Sequence, residues 1–202
     1  MLLSFVRNLV HRRSGERQRV GRPRALAPLR LHVGGQIPHP DWKILDVRPG
    51  PHVDYVGHCT DLTEFDDASV TEIYASHVIE HLGYMRELPT ALREFNRVLI
   101  PGGIARIGVP DLPTLCALYL DPEMNSEDRY QIMRIMYGGQ RNEADFHNTG
   151  FNEELLKSYL EKAGFADVAR VDNFGLFDDN SRYAFKGRPI SLNVCARKPP
   201  AP

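Results

Sequence analysis

From Leu29 onward the chain alternates short apolar runs with stretches patterned as helices, and this alternation constrains its fold more than any other feature. Leu29–Val33 and Lys43–Val47 read as strands, Val53–Val56 as a short third and Val70–Ser76 as a fourth. Arg86–Leu99 sets Leu88, Leu92, Phe95 and Leu99 on one helical face, with Ala91 and Val98 beside it. Pro101-Gly102-Gly103 stops that helix, and Ile104–Val109 follows as a strand. Asn152 is placed to cap a helix through Leu155, Leu156, Tyr159 and Leu160, which Gly164 ends. Val168–Val171 and Ser191–Ala196 are late strands, and the mostly helical stretch at about 112–150 stands outside the alternation as a cap or insertion. Such an order predicts an α/β domain: an open, mostly parallel sheet with helices on both faces.

The formal net charge of −1 conceals two unlike parts. Residues 1–30 hold eight arginines against Glu16 alone, a charge of +7, whereas the rest of the chain carries 17 basic and 25 acidic side chains. The boundary falls at residue 28, with a basic arm before it and an acidic body over 29–202. Leu2, Leu3, Phe5, Val6, Leu9 and Val10 give the arm an apolar helical stripe, which suits peripheral contact with an anionic membrane surface; a helix docked on its own domain, or an extended basic arm, fits the same residues. An acidic body argues against nucleic acid as a partner. Cys59, Cys116 and Cys195 show neither metal-ligand spacing nor a disulfide framework, so a reducing, cytoplasmic setting is expected.

In an open parallel sheet, ligands bind at the carboxyl ends of the strands. The first strand ends in Gly34-Gly35-Gln36, where small residues allow close backbone approach. The second ends at Asp46, an acid placed to accept from a ribose diol. Asp61-Leu62 follows the third, the fourth runs into Ser76-His77-Val78-Ile79-Glu80-His81, and the fifth ends in Val109-Pro110-Asp111.

The order and spacing of Asp46, Asp61-Leu62, the Ser76–Leu82 run and Arg97–Gly103 resemble a class I S-adenosylmethionine-dependent methyltransferase of the compact methyltransferase-11 type. The resemblance implies a Rossmann-like seven-stranded sheet whose last strand is antiparallel. It implies S-adenosylmethionine as cofactor, with Gly34 and Gly35 along its methionine part, Asp46 at the ribose, Asp61 and Leu62 at the adenine, and the backbone near Ser76 at the amino group. Gln36 stands where the family has a second glycine, and either crowds the cofactor or hydrogen-bonds it; His32 replaces the acid that commonly precedes the glycines. Relatives of this compact type occur with polysaccharide biosynthesis, which implies a small-molecule or glycan-type acceptor, O-methylation as the reaction, and a glycosyltransferase as one partner for the arm.

The string His77-Val78-Ile79-Glu80-His81 admits three readings. As H-x-x-E-H it matches an inverted zincin, which needs the whole string on one helix. Some small-RNA and quinone-precursor methyltransferases carry Glu-x-x-Glu-His here and bind a divalent metal; the corresponding set is His77, Glu80, His81 and the distant His147. The commonest reading is metal-free, with Glu80 and His81 shaping the pocket wall and His77 facing substrate. A hydroxyl acceptor calls for a base, and His77 and His147, with His81 in reserve, are the candidates. The polar, aromatic stretch 137–151 suits an acceptor-binding loop, and Tyr183, Phe185 and Arg188 a further pocket wall. Against the enzyme stands a non-catalytic scaffold that keeps the fold with a degenerate cofactor site.

Overall fold

The computed structural model describes residues 29–200, so the basic arm and the membrane contact expected of it lie outside the described residues. The strands are β1 (Leu29–Val33), β2 (Lys43–Asp46), β3 (Tyr55–Val56), β4 (Val70–Ser76), β5 (Leu99–Pro110), β6 (Ala166–Val171), β7 (Ala184–Phe185), β8 (Arg188–Pro189) and β9 (Ser191–Arg197). Seven of them form one sheet in the order β3-β2-β1-β4-β5-β9-β6, while β7 and β8 pair separately. Neighbours from β3 to β5 are parallel, and β9 is antiparallel to both β5 and β6. The sheet and its antiparallel last strand match the expectation.

Among the described residues four α-helices accompany it: α1 (Glu87–Val98), α2 (Leu112–Leu120), α3 (Ser126–Tyr137) and α4 (Glu153–Lys162). α1 buries Leu88, Ala91, Leu92, Phe95 and Val98, three or four residues apart, and α4 buries Leu156 and Leu160. Both stripes pack on the sheet face formed by Leu31, Val33, Ile73, Ala75, Ile107, Leu192 and Val194. Each such side chain contributes about 1.5–3 kcal/mol by leaving water. α4 is bounded as its sequence requires. Asn152 Oδ1 accepts from the Leu155 N–H at 2.8 Å, and Gly164 at φ +92° closes the end through Gly164 N–H to Glu161 O and Phe165 N–H to Leu160 O. α2 and α3 pack chiefly on each other, around Leu115, Leu118, Met124 and Ile132, apart from the main core.

Among the described residues, the stripes of α1 and α4 lie on one and the same face of the sheet. Among the described residues, the face opposite α1 and α4 carries charged and aromatic rows instead. Glu72 pairs with Arg30 at 3.1 Å and with Arg106 at 2.9 Å, and His32, Trp42, Tyr74, Phe174 and Phe177 form a separate aromatic cluster. The cause is chain length. The links 34–42 and 47–54 are shorter than the dozen or more residues a crossover helix needs.

His32 is held within that cluster, 5% exposed, its ring 4.2 Å from Phe177 and 5.0 Å from Tyr74 between centroids. Burial pushes its pKa down to about 4, so the ring is neutral in the folded protein. Above pH 6.5 the folded and unfolded chains are both unprotonated at this ring. Between 6.5 and 4 only the unfolded chain takes the proton, so stability falls as the pH falls, by about 3 kcal/mol. An NMR titration should show the His32 ring unprotonated until about pH 4, and urea melts of His32→Phe should lose that part of the acid sensitivity. A ring titrating near 6.5 in the folded protein would contradict this placement.

Candidate active site

The strand ends bring most of the expected residues to one edge of the sheet. β1 runs into Gly34, whose φ of +69° and missing side chain are both required: a Cβ there would sit 2.5 Å from Val78 Cγ2. A Cβ on Gly35 would likewise lie 2.7 Å from the His32 ring. The space beside both glycines is thus taken by the chain's own side chains. At the end of β2, Asp46 is 8% exposed; Oδ1 accepts from the Arg48 N–H at 2.8 Å and Oδ2 from Gln36 Nε2 at 3.1 Å. Gln36 therefore turns toward the acid. A carboxylate oxygen has two acceptor directions, so each oxygen of Asp46 keeps one for a diol. That capacity fits a ribose.

The segment after β3 is pinned from α1. Arg97 donates to Leu62 O at 2.8 Å and Phe65 O at 3.0 Å and pairs with Glu94 and Asp67, while Glu94 accepts from the Leu62 N–H. Asp61 stays at the surface, its carboxyl held below the usual range by the Thr63 hydroxyl and N–H. Leu62 needs correction: its side chain is 0% exposed in the main core and offers adenine no surface. Ser76 ends β4 with its Oγ buried and without a partner.

Beyond Ser76 the string that resembled a zincin is not one helix. His77 has φ +55°, a strained value for a side-chain-bearing residue, and only Ile79–His81 forms a single 3-10 turn. The inverted-zincin geometry is thereby excluded. His77 Nε2 lies 2.8 Å from Ser191 Oγ, and that hydroxyl is itself 2.7 Å from Asn180 O. With the hydroxyl donating to the carbonyl, Nε2–H donates to Ser191, and Nδ1 faces Glu80 Oε1 at 3.4 Å. Both ring nitrogens of His77 are therefore engaged within the protein.

Glu80 is 0% exposed, and neither carboxylate oxygen has a well-formed hydrogen bond. Burial alone would raise its pKa, but His77, His81 and His147 together hold it below the usual range. His147 Nε2 is 4.0 Å from Glu80 Oε1, and burial is the main cause of its own lowered pKa. His81 Nδ1 lies 3.0 Å from Phe146 O, so it carries the proton and Nε2 keeps its lone pair. The 146–149 segment is stitched to this turn: Asn148 and Thr149 N–H donate to Glu80 O, Asn148 Nδ2 to His81 O, and Thr149 Oγ1 to Leu82 O. Those bonds bring His147 against Glu80.

Other expected residues fall elsewhere. Phe185 packs into the α2–α3 lobe, Arg188 pairs with Asp121 at 2.8 Å, and Tyr183 is exposed, so these three do not form the pocket wall expected of them. Asp111 accepts from Thr114 Oγ1 and Arg170, tying β6 to the start of α2. A depression of about 400 Å³ beside Trp42, Lys43, Pro51 and Asp54 lies at the opposite, amino-terminal end of β2. Sequence reasoning missed Ser191 and Val78; nothing local marks a serine 114 positions from the histidine it meets.

Residues 43–107 match the family model described as a methyltransferase domain. That match covers about a third of the chain and runs from β2 into β5. No curated protein matches the chain in sequence. Among solved structures, a SAM-dependent methyltransferase from Archaeoglobus fulgidus is 17% identical over 85% of this chain and 86% of its own, with a TM-score of 0.54. The Burkholderia thailandensis 1,6-didemethyltoxoflavin-N1-methyltransferase, solved with S-adenosylhomocysteine, is 17% identical over 85% of this chain and 72% of its own, at 0.53. A protein of Bordetella parapertussis is 15% identical over 86% of this chain, at 0.52. The chain spans 62% of that protein's length. At such identities the likeness is one of fold.

The close approach of Val78 to Gly34 leaves no room there for a side chain. Gly34→Ala should cost about 2–3 kcal/mol, from the left-handed backbone and from overpacking together. Adding Val78→Ala should return the overpacking share, read as a non-additive double-mutant cycle in urea melts. Additive losses would show that the two side chains do not meet.

Proposed function

We propose that the chain is an S-adenosylmethionine-dependent methyltransferase acting on a small-molecule or glycan-type acceptor, with transfer to oxygen. The observation that carries this reading is the placing of Asp46, with acceptor capacity to spare, on the same sheet edge as the imidazoles around Glu80. Bound there, S-adenosylmethionine supplies a sulfonium methyl already activated for in-line displacement. The chain's work is then positioning, exclusion of water and removal of the acceptor proton. Asp46 takes the ribose hydroxyls, and Gln36 and Arg48 fix the plane of its carboxylate. The β1 turn at Gly34-Gly35 and the backbone at Ser76 flank the methionine part, and Asp61 lies at the surface beside the adenine. The proton of an acceptor hydroxyl passes to an Nε2 lone pair of His81 or His147, while His77 holds Glu80 and takes no proton from substrate. The glycan-type acceptor rests on the sequence's resemblance to compact relatives that occur with polysaccharide biosynthesis, and the basic arm supports an acceptor or glycosyltransferase at an anionic membrane surface.

A non-catalytic scaffold is the second reading. It draws on Val78 filling the space beside Gly34 and on Gln36 already satisfying Asp46. Calorimetry separates the two. Micromolar binding of S-adenosylmethionine, weakened about 10- to 100-fold in Asp46→Asn by loss of hydrogen bonds to a charged acceptor, is the expected result. Absence of heat at high micromolar cofactor, from protein that melts cooperatively, would favour the scaffold.

A further inference from the structure

We propose that Val78 is the gate of the cofactor crevice, and that the His77-Val78 segment must turn this side chain away from Gly34 to admit S-adenosylmethionine. This role rests on the methyltransferase reading and adds to it the residue that governs entry.

The sheet marks where the crevice lies. β2 and β3 extend from β1 to one side, β4 and β5 to the other. The winding therefore reverses between β1 and β4, the place where an open α/β sheet takes its ligand. Val33 is the last residue of β1 paired with β4, opposite Ala75, so Gly34 and Ser76 open the crevice. Val78 reaches back across its mouth: Cγ2 lies 2.5 Å, and Cβ 3.7 Å, from the point where a Gly34 Cβ would stand.

That point is about 1.5 Å from Gly34 Cα, so Val78 Cγ2 stands no more than about 4 Å from the β1 turn. A methylene chain laid between two such carbons needs about 3.5–4 Å to each, a gap of about 7 Å. A turn about χ1 alone does not open it. Val78 Cβ stays where it is, and the gap then reaches about 5 Å at most. The backbone that carries Val78 has to move as well.

That backbone has the means to move. His77 is held at φ +55°, a left-handed value that a side-chain-bearing residue adopts at a cost, and such values cluster at ligand clamps and switch segments. Val78, at φ −127° and ψ −52°, is neither helical nor fully extended and begins the 3-10 turn. On one side the His77 N–H is fixed to Gly108 O at 2.8 Å and its ring to Ser191; on the other, Ile79 is buried in the main core. Val78 is thus one half-buried residue between two anchors, and rotation of the peptide planes beside it swings the side chain while both anchors stay seated. Val78 O also accepts from the His81 N–H at 3.2 Å, so the opening reaches the imidazoles. While the gate is shut the crevice is not competent, and the apparent affinity for cofactor falls by the open fraction.

The test is S-adenosylhomocysteine binding to the full chain, followed by surface plasmon resonance and by NMR. The free protein should show a nuclear Overhauser contact between a Val78 methyl and the Gly34 α protons, and the saturated complex should lose it. Val78→Ala should associate about 10-fold faster than wild type, while its dissociation rate changes less than about threefold. Val78→Thr, which keeps the branched shape, should bind at the wild-type rate; a merely structural loss at this position would move dissociation and melting instead. Thermal melts identify variants that fold; if Val78→Ala does not, Val78→Ile, which overfills the crevice, should slow association about 10-fold. Equal association by wild type and Val78→Ala, or a contact that survives in the saturated complex, would overturn the gate and leave the methyltransferase reading standing. No binding to any folded form would overturn that reading, and the gate with it.

Discussion

A carboxylate with no exposed surface has to be compensated, and much of this sheet edge is arranged around that requirement at Glu80. His77 reaches it only because the backbone leaves β4 through a strained φ of +55°, where Ser191 anchors the ring from β9. His147 reaches it only because the loop after α3 is sewn to the 3-10 turn. Three imidazoles around one acid hold its pKa below the usual range against the cost of burial, and His81 keeps a lone pair on Nε2. A loop that would otherwise be an ordinary connection becomes part of the site by the same bonds.

The other half of the edge depends on short connections. With no room for a crossover helix between β1 and β2, the chain covers that face with His32, Trp42, Tyr74 and Phe177 instead. The substitution has consequences at the glycines. Gly35 must stay small for His32, and Gly34 for Val78. Gln36 finds its partner in Asp46 and leaves that carboxylate oriented with acceptor capacity unused.

Much of this was legible in the sequence. β4 occupies Val70–Ser76 as expected, the α1 face is the one its periodicity marks, and Asn152 and Gly164 bound α4 by capping chemistry that acts locally. Period and capping are properties of neighbouring residues, so they survive without knowledge of the fold. They fix which face is apolar and leave open what lies against it. Leu62 follows an acid and reads as available, yet Arg97 and Glu94 draw its backbone onto α1 and bury the side chain. Phe185 and Arg188 read as pocket wall and belong to the α2–α3 lobe. The short span from Gly34 to Asp46 leaves no room for a crossover helix between β1 and β2, which the sequence itself shows.

The central claim is that Asp46 and the Glu80 imidazole cluster are two sides of one site at the carboxyl edge of the sheet. A crystal structure of the full chain grown with S-adenosylhomocysteine tests it most directly. The account predicts the ribose hydroxyls on the Asp46 carboxylate, Gln36 still bonded to that acid, and the sulfur end directed toward His81 and His147. A nucleoside bound elsewhere, or one whose sulfur end points away from Glu80, would contradict it.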